Sequence, residues 1–437
     1  MAQGGGEVYV NAVCYRVDGE VGRFSFLTHR LERDGEVIFD SAHDLFPALI
    51  SKGWYLTRGF KEVAMVYGSV EKSYRKTATL INRVRYQSTD GTPMRTWQEQ
   101  TEREGEKLAA HLAVRTEEIL ESHGLDNIAA SKSDKRCLGL VRPVQKSAPE
   151  VAAAIAECTE DHGVREEMRA NPVGYEEPTG SVNISVDDVG VKRQKVQRKA
   201  IAGGVEAAEQ SSRAASQTKF IHTTVAEVQT EQGRYVLSGS GVMKVLWRVL
   251  AFLLANGLTT RQVICFVDGQ KSLHAALAQV FSYFRQWQVI LDWYHLAKKC
   301  SQLTSLALKG KTVRNQVLDH LLALLWDGRV ESALKYLAEL DPEWIKDAAP
   351  LEQLKGYLER SRPHIPCYSV RKKLGLRNSS NHGEKQNDLV VSERQKHNGM
   401  SGSETGSAAL ATLATAALNQ EAQRWFQTGE VSFKLAA

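Results

Sequence analysis

No uncharged apolar run as long as the roughly 18 residues a membrane helix needs occurs anywhere in the 437-residue chain. The opening residues, "MAQGGGEVYV", lack the basic-then-apolar pattern of a secretory signal, so a cytoplasmic protein is expected. The six cysteines (Cys14, Cys137, Cys158, Cys265, Cys300 and Cys367) are scattered, and no two form a C-x-x-C pair. That spacing argues against a disulfide framework and against a structural zinc site. A strong charge excess is missing too: the net charge is +5 and the pI near 8.7. Taken over the whole chain this says little about nucleic acid, but the positive charge is clumped, and clumping matters more than the total. Hydrophobic residues at 42% and charged residues at 24% are those of a globular protein. The length exceeds one ordinary core and predicts two or three domains.

Residues 1–59 read as strands and turns ("EVYVNAVCYRV", "GRFSFLTHRL", "GEVIF") without an interpretable motif. From "FKEVAMVYGSVEKSYRKTATLINRVRYQ" the period turns helical, and after "STDGTP" another helix starts at Met94, which makes 60–124 a helical domain. Residues 125–180 are polar and read as a linker. Strands then begin abruptly: "SVNISVDDVGVKRQKV", "FIHTTVAEVQT" and "GRYVLSG", followed by a helix closed at Gly257. The strand "QVICFVD", the helix "KSLHAALAQVFSYFR" and the strand "QVILD" complete residues 181–292. A Leu- and Ala-rich helical block fills 293–375, and 376–437 holds a last clear helix, "HGEKQNDLVVSERQKH". Three leading strands followed by α/β crossovers predict a mixed five-stranded sheet with helices on both faces. A ribonuclease H-like fold has that order, as do other α/β folds, so the acids must decide.

Three acids sit at distinctive places. Asp187, or its neighbour Asp188, lies in the first strand of this sheet; Asp268 ends the fourth; Glu384 opens the last helix. First and fourth strands are neighbours in the predicted order, so carboxylates on them approach one another, and the last helix can bring the third across. Phosphodiester cleavage by water or a 3′-hydroxyl needs an activated nucleophile and a stabilised leaving oxygen, and two magnesium ions supply both. Magnesium takes hard oxygen ligands, so a few carboxylates suffice, with manganese able to substitute. Each acid also has a plainer use. Asp268 can cap the helix after it, Asp187 and Asp188 can be a turn pair, and Asn381 with Glu384 fits a capping box.

Together these segments resemble a bacterial insertion-sequence transposase of the DDE class, in its Mutator-like branch. "SVDDVGV" resembles the first aspartate motif and "FVDGQKSLHAAL" the second. "VILDWYHLAKKC" resembles the branch's C/D-x-x-H signature, with Asp292 and His295 in place, and "HGEKQNDLVVSERQK" resembles the helix of the final glutamate. The resemblance spans about residues 60–410. It implies a ribonuclease H-like catalytic core interrupted by an all-helical insertion, with Asp187, Asp268 and Glu384 as catalytic metal ligands. Asp188 stands where the branch has glycine, which leaves Asp187 and Asp188 as alternatives. Asp292 rivals Asp268 for the second position, although Asp268 is preferred at its strand end. His295 is expected to be structural or substrate-positioning.

Three basic clusters suit double-stranded DNA, the partner the resemblance implies. Lys72, Arg75, Lys76, Arg83 and Arg85 lie against one acid, Glu71, on a helix that with the next resembles a helix-turn-helix unit. Its second helix would offer Arg95, Thr96 and Gln98 to base edges while the cations hold phosphates. Lys192 and Arg193, with Lys195, Arg198 and Lys199, follow Asp187; Arg371, Lys372, Lys373 and Arg377 precede Glu384. The expected protein is a nucleoid-associated transposase, a homodimer or larger oligomer on DNA, cutting and joining element ends. A metal-dependent nuclease that does not join strands, and a non-catalytic DNA-binding descendant, are the alternatives.

Overall fold

A hairpin of two twelve-residue strands, β1 (Val8–Gly19) and β2 (Gly22–Arg33), opens the computed structural model. The structure describes residues 8–42, 54–71, 73–85, 92–125, 144–194, 219–281, 287–396 and 402–435. The chain divides into two compact units, the first formed by 1–109 with 393–432 and the second by 110–392 with 433–437.

In the first unit, β3 (Glu36–Asp40) and β4 (Trp54–Leu56) complete a sheet ordered β3-β2-β1-β4. Buried Asp18 anchors it, accepting from Arg85 at 2.6 Å and Arg23 at 3.0 Å. Arg85 is therefore spent on an internal ion pair and is not a phosphate contact. The single helical period expected from Phe60 onward is broken in two, α1 (Arg58–Val70) and α2 (Tyr74–Val84). Ser73 causes the break, because its hydroxyl accepts from the Lys76 N–H and starts a new helix. Helix α3 (Met94–Ser122) begins in this unit and ends in the second. Its Trp97 is buried edge-on against Phe60.

The second unit contains β5 (Ser181–Lys192), β6 (Phe220–Gln229), β7 (Arg234–Gly239), β8 (Gln262–Val267) and β9 (Trp287–Leu291). They form the mixed five-stranded sheet, ordered β7-β6-β5-β8-β9. The pairs β5–β6 and β6–β7 are antiparallel, whereas β5–β8 and β8–β9 are parallel. All six residues of β8 are buried, as a central strand covered on both faces requires. Helices α6 (Val242–Ala255) and α7 (Lys271–Phe281) are the crossovers.

Residues 125–180 are not a linker throughout. Their described part contains α4 (Ala148–Cys158), with a capping box at Ser147 and Glu150, and α5 (His162–Arg169). Ala154, Ile155 and Met168 pack against Cys367 and Val370, so this polar stretch hides one small apolar face. After β9 come α8 (Trp293–Ala307), α9 (Lys311–Trp326), α10 (Val330–Ala338), α11 (Ala348–Ser361) and α12 (Tyr368–Lys373). They share a core of their own that includes Leu303, Leu321, Leu325, Leu354 and Leu358. The last expected helix is α13 (Asn381–Asn387), continued by a π-helical stretch, Asp388–Lys396. Two further helices follow, α14 (Glu404–Leu418) and α15 (Ala422–Thr428), and both belong to the first unit rather than completing the second. Helix α14 is made of small residues buried on nearly every side, a pattern with little periodicity to read. No helix among the described residues is long and apolar enough to cross a membrane.

Candidate active site

Parallel pairing of β5 with β8 sets Ser185 opposite Phe266, and Asp187 and Asp268 each stand two residues beyond that pair. Strand alternation puts Asp187 on the face shared with Ser185, and that face is covered by α13. Asn387 of α13 donates from Nδ2 to Asp187 Oδ2 at 2.5 Å. Asp188 faces the other way, is exposed, and accepts a bond from the Thr224 hydroxyl. The two neighbouring aspartates are thus distinguished by the pleat, and Asp187 is the one turned towards the other acids.

Burial raises the Asp187 carboxyl above its ordinary value; the negative charge of Asp268 adds to this, while the Asp188 N–H and His295 oppose it. Asp268 accepts from the Gln270 N–H at 2.9 Å, a local turn just ahead of α7. Gly269 takes φ +85° there, and a Cβ on it would lie 3.1 Å from the Tyr357 hydroxyl of α11. Only glycine suits that position, through both its backbone and its neighbour.

Glu384 is held by a relay that begins at β9. Asp292, wholly buried, caps α8 by accepting from the His295 N–H at 2.9 Å, and its Oδ1 also lies 3.0 Å from His295 Nδ1. Its other oxygen accepts from the backbone N–H of Ser380 and from the Ser380 hydroxyl at 2.9 Å. Burial would raise the Asp292 carboxyl, but these bonds outweigh it and leave it below its usual range. The opposite face of the imidazole brings His295 Nε2 to 3.8 Å from Glu384 Oε1. Hydrogen bonding to Asp292 raises the His295 imidazole above its ordinary value, and the charges of Glu384 and Asp268 act in the same direction. Ser380, without a side-chain capping bond, precedes α13, so Glu384 is not consumed in a capping box. Asp292 has no lone pair facing the other acids that is not already used, which makes it a latch rather than a rival ligand.

Helix α13 reaches the sheet because Gly383 allows it: a Cβ there would lie 2.7 Å from that of Ser185. Beneath it runs a buried polar layer. Arg377 donates to Gln229 at 2.5 Å, lies 3.7 Å from buried Glu227 and stacks over Phe266 at 5.1 Å. Asn387, Arg377 and Glu227 are the functional neighbours that sequence reasoning missed or misplaced. Only Asn387 carried a signal, its position three residues after Glu384 on one helical face.

The basic residues divide sharply. Arg371 is fully buried and bidentate with Glu176, at 2.7 and 2.6 Å, so it is no DNA contact; it ties α12 to the segment before β5. Lys372 and Lys373 are exposed, the latter 3.2 Å from Glu157. Lys192 is exposed and Arg193 half-buried; Lys195, Arg198 and Lys199 lie outside the described residues. In the first unit, Arg75, Lys76 and Arg83 are exposed on α2, whereas Lys72 lies outside the described residues. Arg95 is exposed on α3, paired with Glu99 at 2.8 Å, and Gln98 is bonded to Glu102 at 3.0 Å. Three residues, 71–73, separate α1 from α2, and α2 carries the exposed Arg75, Lys76 and Arg83.

Carboxylate oxygens, one of them desolvated beside a second negative charge, are the donors a hard divalent cation takes. Among the described residues, however, no three His, Cys, Asp or Glu side chains converge closely enough to hold an ion. The charge of Asp268 reaches Asp187, and His295 responds to the charges of both Asp268 and Glu384. Compared with protein-family models, with curated proteins and with solved structures, the chain matches none.

Proposed function

We propose that the protein is a DDE-type DNA transposase. The second unit would be a ribonuclease H-like catalytic core, with α8–α12 its helical insertion, and the first unit would bind element ends. One observation supports this reading: His295 stands 3.8 Å from Glu384 and interacts electrostatically with Asp187 and Asp268 as well, so acids from three distant parts of the chain lie around one imidazole without closing on a common ion site.

Asp187 and Asp268, with Glu384, would hold two magnesium ions, which when bound activate the attacking oxygen and stabilise the leaving one. The chain's own residues prepare the site. Asn387 orients Asp187, the Asp292–His295 pair presents its imidazole to Glu384, and Gly269 permits the turn after Asp268. Exposed Lys192, Lys372 and Lys373 offset the repulsion between a polyanionic strand and the acids. In the first unit, Arg75, Lys76 and Arg83 would hold phosphates, with α2 as the helix laid in the groove. Pairing two ends calls for at least two copies on DNA.

The test uses supercoiled plasmid carrying the inverted repeats that flank the gene, with magnesium. Wild type should cut at the repeats and join the freed ends to target DNA. Asp187→Asn, Asp268→Asn and Glu384→Gln should each abolish cutting while leaving DNA binding within about twofold, since one lost ligand removes the ion and not the phosphate contacts. Undiminished cutting by any of the three removes that residue from the site, and a wild type that never cuts DNA overturns the reading.

A further inference from the structure

The stretch "WYH" at the start of α8 turns three rings in three directions. Trp293 packs into the helical block, 4.7 Å from Trp326 and 5.0 Å from Tyr368. His295 faces Asp292 and Glu384. Tyr294 alone is left in solvent, 51% exposed, beside the imidazole that meets Glu384. Its ring meets the His295 ring edge-on at 5.6 Å, and Lys298 Nζ stands 5.8 Å from its centroid.

The same outward side of α8 continues through Lys298, Gln302 and Ser305, all exposed and recurring at helical spacing, and exposed Lys309 follows two residues past the helix end. No Asp or Glu occurs from Trp293 to Leu318, while Lys298, Lys299, Lys309, Lys311 and Arg314 all do. Neighbouring ion pairs, Lys355 with Glu352 and Arg362 with Glu331, leave these lysines out. A helix face whose own residues carry cations and no acid, and whose first turn presents a half-exposed aromatic ring, is complementary to a nucleic-acid strand. A half-exposed ring with a lysine over it suits a base that has left its stack, because the ring offers a π-face and the ammonium a partner for the adjoining phosphate.

We propose that the outward face of α8 is a track for one DNA strand, with an unpaired base stacked on Tyr294 and its phosphates along Lys298 and, past the helix end, Lys309. This rests on the transposase reading and names its substrate more closely: DNA whose end is locally unpaired beside the acids. From Tyr294 to Ser305 the helical rise is about 16 Å, which covers about five nucleotides at about 3.4 Å each.

The experiment uses the full chain without divalent ions, so that no cutting intervenes. Fluorescence anisotropy compares a short blunt duplex with the same duplex bearing a single-stranded 3′ overhang, and 2-aminopurine in the overhang reports stacking. Wild type should prefer the overhang DNA and quench the 2-aminopurine. Tyr294→Ala should lose about tenfold of that preference together with the quench, as expected for one base on one ring, while Tyr294→Phe keeps both. Lys298→Ala and Lys309→Ala should each lower the salt slope on overhang DNA by about 0.7, the value for a single-strand phosphate. Wild type without overhang preference, or Tyr294→Ala with preference and quench intact, overturns the track; the carboxylate variants judge the transposase reading separately.

Discussion

Asp292 and Ser380, 88 residues apart in sequence, are joined by two hydrogen bonds to one carboxylate oxygen, from the serine's backbone N–H and from its hydroxyl. That junction closes the return from the helical block and sets the start of α13, and therefore where Glu384 lies. Ser380→Ala removes one donor to a buried charge and should cost about 1.5–3 kcal/mol in urea unfolding. Cleavage should fall further than stability alone explains, because α13 loses its register. Full cleavage by a destabilised Ser380→Ala would separate the latch from the site.

Asp188→Asn should cut DNA like wild type. The pleat turns Asp188 to exposed surface beside Thr224, while Asp187 faces Asn387. A dead Asp188→Asn beside an active Asp187→Asn would reverse the assignment. Asn387→Ala should leave DNA binding unchanged and lower cleavage, since it frees Asp187 to turn.

Arg371→Ala should destabilise the protein by about 3–5 kcal/mol, because Glu176 would be left buried and unpaired. The salt dependence of DNA binding by the fraction still folded should be unaltered. Lys372→Ala should show the converse, a shallower salt slope with stability kept; a shallower slope for Arg371→Ala would return that residue to the DNA surface.

On α2, Arg75→Ala, Lys76→Ala and Arg83→Ala should each reduce the salt slope of duplex binding by about 0.9. Arg85→Ala should instead unfold the first unit more readily, through the loss of its pair with buried Asp18. Slopes unchanged in all three surface variants would move end recognition elsewhere, α3 and Arg95 being the next place to look.

Two histidines, His274 of α7 and His364, meet with ring centroids 4.9 Å apart. Burial lowers both imidazoles, His364 to about 4 with the charge of His274 adding to the effect. The fold therefore favours their neutral forms. The stability they contribute is present above the ordinary value of 6.5 and is lost as pH falls from there towards about 4. His364→Gln should flatten that acid limb in urea unfolding between pH 7 and pH 5; an unchanged limb would place the acid sensitivity in other groups.

The mixed five-stranded sheet was legible in the chain because buried strands are short apolar runs, as "VICFV" is, and because three strands before two crossovers leave few arrangements. The position of Asp268 at the mouth of such a strand was legible for the same reason. What the residue string could not decide was direction and partnership. Asp187 and Asp188 are equivalent in composition, and only the register against β6 and α13 turns one of them inward. Arg371 and Lys372 read as one basic cluster, yet the step of about 100° between adjacent helix residues buries the first on Glu176 and leaves the second in solvent. Helices α4, α5 and α14 were hidden because short or small-residue helices carry a weak periodic signal and are stabilised mainly by what they pack against. Local propensity is written in neighbouring residues, whereas burial and charge pairing depend on groups up to 200 residues away, such as Asn387 on Asp187, and those only the folded chain brings together.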